Sequence, residues 1–326
     1  MKKVNWGIIG CGDVTERKSG PAFNKVDGSH LVAVMRRNGA LAADYATRHK
    51  VPKWYNDADQ LIADGDVNAI YVATPPSTHA EYAIKAMKAG KPVYVEKPMA
   101  ATFAQCQEMI QVSKETGIAL FVAYYRRSLP GFLKVKELVD EGHIGTPLMA
   151  NIRLTRPPIT QEMNLKVPTW RIDPSVAGGG IFYDLASHQL DFFSFVFGDI
   201  TSIHGFATNG GKIYKAEDTV TAVYQFTNGV TGTGSWSFVT DPSAQEDVME
   251  IIGTKGKVVF SGFGHEPVLL YNKKGELEFP YMNPENIQYN LIKQVVEKLL
   301  HNKPCVSDVH AAARVNWAME KVVYGE

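Results

Sequence analysis

The chain of 326 residues is long enough for two domains with separate hydrophobic cores, and 45% hydrophobic with 21% charged residues is the composition of a globular protein rather than a disordered one. Lysine plus arginine balances aspartate plus glutamate at 34 each, so no net charge draws the chain to nucleic acid or to an acidic membrane, and neither is an expected partner. Cys11, Cys106 and Cys305 are too few and too scattered for a disulfide framework or a metal-ligand cluster, and no metal is expected.

The chain opens Met1-Lys2-Lys3 and turns apolar, but Asn5 and Gly7 break a run already too short for a signal peptide. No stretch approaches the roughly 18 apolar residues of a transmembrane helix. The expected location is the cytoplasm.

Up to about residue 123, short apolar runs at 4–9, 30–35, 69–73, 92–95 and 119–123 read as strands. They alternate with segments of helical periodicity at 40–49, 57–63, 79–89 and 103–116. Thr78, with Glu81 three positions on, has the spacing of a capping box, and Gly90 and Gly117 mark helix ends. Such alternation predicts a doubly wound parallel sheet covered on both faces. After a helix at 129–141 the pattern changes. Runs at 148–155, 200–207, 220–226, 232–238, 248–252, 257–260 and 268–271 read as strands, joined by turns such as Thr227-Asn228-Gly229 and Lys273-Lys274-Gly275. Helices at 180–196, 286–300 and 306–323 interrupt and follow them. The fold class is thus an α/β domain over residues 1–123 and an α+β domain over 124–326 with a mostly antiparallel sheet. Phe192, Phe193, Phe195 and Phe197 read as core.

Gly10-Cys11-Gly12-Asp13-Val14-Thr15 directly follows the first strand and matches G-x-G-x-x-[G/A] at two of three positions. The first glycine makes a tight turn and the second lets the backbone approach a pyrophosphate, which sits on the amides of the next helix. The expected cofactor contacts here are Gly10, Gly12, Asp13 and Val14. Thr15 requires the helix to pack around a larger side chain, and Gly20-Pro21 predicts that this helix is short. Cys11 reads as a small buried filler. The second strand runs into Arg36-Arg37-Asn38, with no carboxylate to grip a ribose 2′-hydroxyl. Two guanidiniums suit a 2′-phosphate, so NADP is favoured over NAD.

The next strand to carry a motif ends Val95-Glu96-Lys97-Pro98, at the edge where open parallel sheets hold ligands. With the glycine cluster, Ala73-Thr74-Pro75-Pro76-Ser77-Thr78-His79, the run Gly90 to Pro98, Trp170-Arg171, and Gly178-Gly179-Gly180 leading to Asp184 and His188, the whole chain resembles the GFO/IDH/MocA oxidoreductases. The resemblance implies a Rossmann domain, a second domain with a large open sheet, and an active site in a cleft between them. It also implies catalytic roles for Lys97, Asp184 and His188, and homodimers or homotetramers formed through the open sheet.

Oxidising a secondary alcohol needs a hydride acceptor and a base. Asp184 and His188 are spaced i, i+4 on a predicted helix and share a face, and the glycine triplet before them suits close approach to a ligand. His188 is expected to be the general acid/base, Asp184 to hold a substrate hydroxyl and bias His188, and Lys97 to stabilise charge on the reacting oxygen. Further cofactor contacts are expected from Thr74, Pro75, His79, Glu96, Lys97, Trp170 and Arg171. Further substrate contacts are expected from Tyr124 and Arg126, with loop 156–167 setting specificity. The expected substrate is a sugar, inositol or related polyol. Two other readings stay open: a tightly bound nicotinamide used transiently for hydrolysis, elimination or epimerisation, and a nucleotide-binding sensor without turnover.

Overall fold

The computed structural model describes residues 1–164, 166 and 168–325. By its contacts the chain divides into two units, Met1–Ser128 with Pro284–Ala312, and Leu129–Asn283 with the segment from Ala313 onward.

The first unit begins β1 (Val4–Ile9), α1 (Asp13–Arg17), a 3-10 turn at Gly20–Asn24, β2 (Ser29–Met35), α2 (Gly39–His49) and β3 (Lys53–Tyr55). It continues with α3 (Ala58–Ala63), β4 (Ala69–Val72), α4 (His79–Lys88), β5 (Val93–Val95), α5 (Phe103–Thr116) and β6 (Leu120–Val122). The strands form one parallel sheet in the order β3-β2-β1-β4-β5-β6, the doubly wound order of a Rossmann fold. Every residue of β4, β5 and β6 is buried, as strands covered on both faces must be. Pairing of Ile9 with Val72 and of Val72 with Val95 sets the carboxyl ends of β1, β4 and β5 side by side. The segments beginning at Gly10, Ala73 and Glu96 therefore leave the sheet at one edge. The edge strand β3 escaped the sequence pattern. It has three residues, exposes Trp54, and is pinned by Lys53 to Asp64 and Asp66.

Helix ends follow local chemistry, with one correction. Gly117 caps α5 at φ +68°, and Gly90 follows α4 at φ +77°. Thr78 does precede α4, but its hydroxyl does not cap it; it turns back to Thr74 Oγ1 at 2.8 Å and Pro75 O at 3.1 Å. The capping box is instead at α5, where Thr102 and Gln105 bond reciprocally.

The second unit contains α6 (Pro130–Asp140), β7 (Pro147–Thr155), α7 (Thr160–Met163), α8 (Pro174–Ala177) and α9 (Ile181–Phe197). Then come β8 (Ile200–Thr208), β9 (Thr219–Phe226), β10 (Thr231–Ser237), β11 (Glu246–Gly253), β12 (Gly256–Phe260), β13 (Val268–Asn272) and β14 (Gly275–Phe279). They make a sheet in the order β14-β13-β12-β11-β7-β10-β9-β8, antiparallel except where β10 pairs with β7. β14 was missed because its Glu-Leu-Glu run is exposed and lacks an apolar face. One face of the sheet is buried against α9: Trp236 Nε1 donates to Gln189 Oε1 at 2.8 Å, and Phe192 meets Phe132 and Phe260 edge to face. Phe192, Phe193 and Phe197 are core, as expected, while Phe195 is part exposed beneath the Lys136 ammonium.

The chain ends with α10 (Tyr289–His301) and α11 (Val309–Tyr324). A domain boundary at residue 123 leaves α10 in the second domain, but its contacts lie with the first unit. Leu291, Ile292, Val295 and Val296 are buried, Tyr94 donates to Gln288 Oε1 at 2.9 Å, and Ser307 Oγ accepts from Val122 N at 2.8 Å. An amphipathic helix packs on whichever apolar surface remains open, and sequence adjacency does not decide which. Among the described residues no helix is long and apolar enough to cross a membrane.

Candidate active site

Gly10 sits at φ +94°, and a Cβ there would lie 2.8 Å from Thr74 N, so only glycine fits. Gly12 differs. Among the described residues a Cβ there would meet nothing nearer than Gly10 O at 3.9 Å, which leaves open space beside the backbone. The leading amides of α1, at Asp13 and Val14, precede the intrahelical ladder and face the same turn. These features fit a dinucleotide pyrophosphate. α1 is short, as Gly20-Pro21 predicted. Thr15, in place of the third glycine, is fully buried and ties the turn: its Oγ1 accepts from Gly12 N at 3.0 Å and donates to Gly12 O at 2.8 Å. The close-packing glycine has moved to Gly20, where a Cβ would come within 2.2 Å of Thr15 O. Burial pushes the Cys11 thiol up to about 11, which makes it an inert filler. Arg36 and Arg37 are exposed after β2, and Arg36 NH1 reaches Cys11 O at 3.5 Å.

At the exits of β4 and β5, His79 is fully buried, with Nε2 2.7 Å from Thr74 O and Nδ1 3.0 Å from Pro98 O. It joins the two exits and presents neither nitrogen outward. Glu96 also turns inward. Its carboxylate takes the Tyr71 hydroxyl, Gln288 Nε2 at 2.6 Å and Lys97 N at 3.2 Å. Burial, with the Glu96 charge beside it, holds the Tyr71 hydroxyl well above the usual phenol range, so it stays a donor. The expected side-chain contacts of His79 and Glu96 with cofactor are therefore replaced by a supporting role inside the unit. Residues 92–101 are buried except Lys97, which is part exposed and precedes the cis bond to Pro98. Thr74 and Pro75 are part exposed. Tyr124 and Arg126 are buried, with the Arg126 guanidinium over the Tyr125 ring.

In the second unit the glycine triplet packs closely against its surroundings. A Cβ at Gly179 would fall 2.2 Å from the Tyr183 ring, and one at Gly180 would fall 2.5 Å from Glu217 O. Gly180 N donates to Glu217 Oε1 at 2.6 Å, which secures the start of α9. Burial pushes the Glu217 carboxyl up to about 7. Asp184 stands in the first turn of α9, where the helix dipole favours an anion, and His188 follows one turn later, 3% exposed. Arg171 Nε donates to Asp184 Oδ2 at 2.8 Å, and its guanidinium lies 4.4 Å from the Trp170 ring centroid. The ring of Phe263 meets His188 edge-on, with centroids 6.2 Å apart. Sequence reasoning missed Glu217, Phe263 and Asp247, the last of which holds the Phe263 segment. No local pattern points to them, because each acts on residues at least 14 positions away. In loop 156–167, Arg156 pairs with the buried Glu162, and Leu165 and Val167 lie outside the described residues.

Known proteins match this arrangement. Residues 4–124 match the model of an oxidoreductase family with an NAD-binding Rossmann fold, and residues 132–259 match the GFO/IDH/MocA C-terminal domain. An oxidoreductase of Formosa agariphila is 39% identical over 324 residues, 98% of this chain and 98% of that protein. The scyllo-inositol 2-dehydrogenase (NAD(+)) of Bacillus subtilis is 28% identical over 278 residues, 84% of this chain and 78% of that protein. Among solved structures, a levoglucosan dehydrogenase in complex with NADH and levoglucosan superposes with a TM-score of 0.86 at 21% identity, covering 98% of this chain and 96% of that one, a likeness of fold.

Proposed function

Because this chain belongs to the GFO/IDH/MocA family of NAD-binding oxidoreductases, we propose that it moves a hydride between a nicotinamide dinucleotide and a secondary alcohol or ketone carbon of a sugar, inositol or related polyol. The relative named for scyllo-inositol and the fold neighbour holding levoglucosan support that substrate class. The nicotinamide supplies or takes the hydride, and the chain's residues do the rest. Gly10, Gly12 and the amides of Asp13 and Val14 hold the pyrophosphate. Thr74 and Pro75 run along the nicotinamide ribose. Arg36 and Arg37 take a ribose 2′-phosphate, so NADP is the preferred cofactor. His188 removes the hydroxyl proton during oxidation and returns it during reduction. Asp184, held by Arg171, grips a substrate hydroxyl. Lys97 stabilises the negative charge that develops on the reacting oxygen.

The enzyme works in the cytoplasm, a reading that so few and so widely scattered cysteines support. It assembles as a homodimer or homotetramer through the outward face of the second unit's sheet.

One observation carries the catalytic reading. Residues 92–101 are all buried except Lys97, which is part exposed, at the edge where the glycine turn and the Thr74 segment also leave the sheet. Lys97→Met should lower turnover by about two to four orders of magnitude, the range for a lost proton-transfer or oxyanion partner, while cofactor affinity changes by no more than about threefold. Nicotinamide absorbance measures the first and nicotinamide fluorescence the second. Near-normal turnover would overturn this mechanism.

A further inference from the structure

Between β12 and β13 the chain runs Ser261-Gly262-Phe263-Gly264, and one side chain organises all four residues. The Asp247 carboxylate, on β11, accepts from Gly262 N at 3.0 Å, Phe263 N at 2.7 Å and Gly264 N at 3.2 Å, and from the Ser261 hydroxyl. Three successive backbone amides on one carboxylate leave the segment little freedom. The backbone on both sides of Phe263 is closely approached by side chains: a Cβ at Gly262 would lie 2.9 Å from Gln189 Nε2 and 3.1 Å from Asp247 Oδ1, and one at Gly264 would lie 1.9 Å from Glu266 Oε2 and 2.6 Å from Ser261 Oγ. Gln189 is the neighbour of His188 on α9 and is itself fixed by Trp236. The segment is thus pressed onto α9 at the turn that carries His188. Phe263, part exposed, sets its ring edge-on to the His188 imidazole at 73°.

An aromatic side chain held this firmly beside a proton-transfer group has a chemical use. One face of a pyranose or cyclitol ring presents several C–H bonds together, and their positive ends suit the negative face of a phenyl ring. An open-chain polyol has no such flat face. Rigidity helps as well, because a wall ordered in advance has no ordering entropy to lose when the ligand arrives.

We propose that residues 261–264 form a prebuilt wall of the substrate site, in which Phe263 is the specificity-determining residue that seats the C–H face of a cyclic sugar or polyol beside His188, and Asp247 is the positioning residue that holds it. This rests on the reading of His188 as the group that exchanges the substrate proton.

The test is calorimetric titration of protein saturated with oxidised cofactor, using myo-inositol, D-glucose and methyl glucoside as cyclic probes and sorbitol and mannitol as open-chain probes. Phe263→Ala should weaken the best cyclic probe at least about tenfold and change the open-chain probes by less than about threefold. Asp247→Ala should repeat that selective loss and speed hydrogen exchange at the amides of residues 262–264. If either alanine variant fails to fold, Phe263→Leu keeps an apolar side chain without a flat ring and should show the same ring-selective loss. Equal losses for cyclic and open-chain probes, unchanged affinities, or no cyclic probe bound by the native protein would each overturn the wall. His188→Ala separates the two readings. Loss of turnover there with ring affinity intact in Phe263→Ala defeats the wall alone, whereas normal turnover in His188→Ala defeats the reading on which the wall rests.

Discussion

Glu217 is 8% exposed, and its carboxyl is pushed up to about 7 chiefly by burial, although Gly180 N donates to it. The sign follows from linkage. A raised pKa means the folded chain binds a proton that the unfolded chain has already released, so the contribution is fully present below the ordinary value of 4.5 and is lost as pH rises through about 7. The difference is on the order of 3 kcal/mol at most. Glu217→Gln keeps an acceptor for Gly180 N and removes the titration. Urea unfolding of the two proteins at pH 5 and pH 8 should show the native protein losing stability relative to the variant at the higher pH. Equal slopes in both would refute this. The residue scale is also where reading from sequence was least complete. Gly10 and Lys97 are visible because each sits in a motif at a strand end. Glu217 carries no motif, and its partner Gly180 is 37 positions away. His79 and Glu96 were visible as motif members, but which way each side chain turns depends on Pro98 O, Tyr71 and Gln288, which only folding brings close.

At the scale of an element, the proposed preference for NADP rests on the junction of β2 with α2. Arg36 N donates to Tyr55 O at 3.2 Å, so β3 fixes the backbone there, and the Asn38 side chain caps α2 through Leu41 N at 3.3 Å. Arg36 and Arg37 remain exposed, without a carboxylate at the strand end to select a 2′-hydroxyl. Replacing both with alanine should weaken NADP binding at least about tenfold and NAD binding by less than about threefold, measured by nicotinamide fluorescence at 150 mM salt. NAD bound as tightly as NADP by the native protein would remove the preference. Long periodic elements were legible throughout, since burial on one face imposes the spacing of apolar residues. Caps were less so. The spacing of Thr78 and Glu81 is that of a capping box, yet Thr74 and Pro75 O compete for the Thr78 hydroxyl and win. Thr102 has no such competitor and caps α5.

At the scale of the whole molecule, the outward face of the second sheet carries the proposed assembly. Phe206 is 81% and Val223 54% exposed, and the pairing of Phe206 with Thr221 and of His204 with Val223 puts them on one face of β8 and β9. Met149 on β7 stands opposite Thr231 of β10, which extends this face. Phe206→Glu with Val223→Glu should convert a dimer or tetramer to a species of 36.0 kDa in analytical ultracentrifugation. A native protein already monomeric at micromolar concentration would exclude the assembly. What the sequence determined alone is the set of local commitments: alternating strands and helices, the glycine turn after β1, and a lysine at the end of β5. Each depends on residues within a turn or two of one another, where steric and periodic rules act directly. Tertiary structure decided which side chains meet: Arg171 on Asp184, Asp247 on the amides around Phe263, and α10 on the first unit although 160 or more residues separate it from that unit's last strand. Such contacts follow from burial and polar satisfaction in the folded whole, and no local pattern carries them.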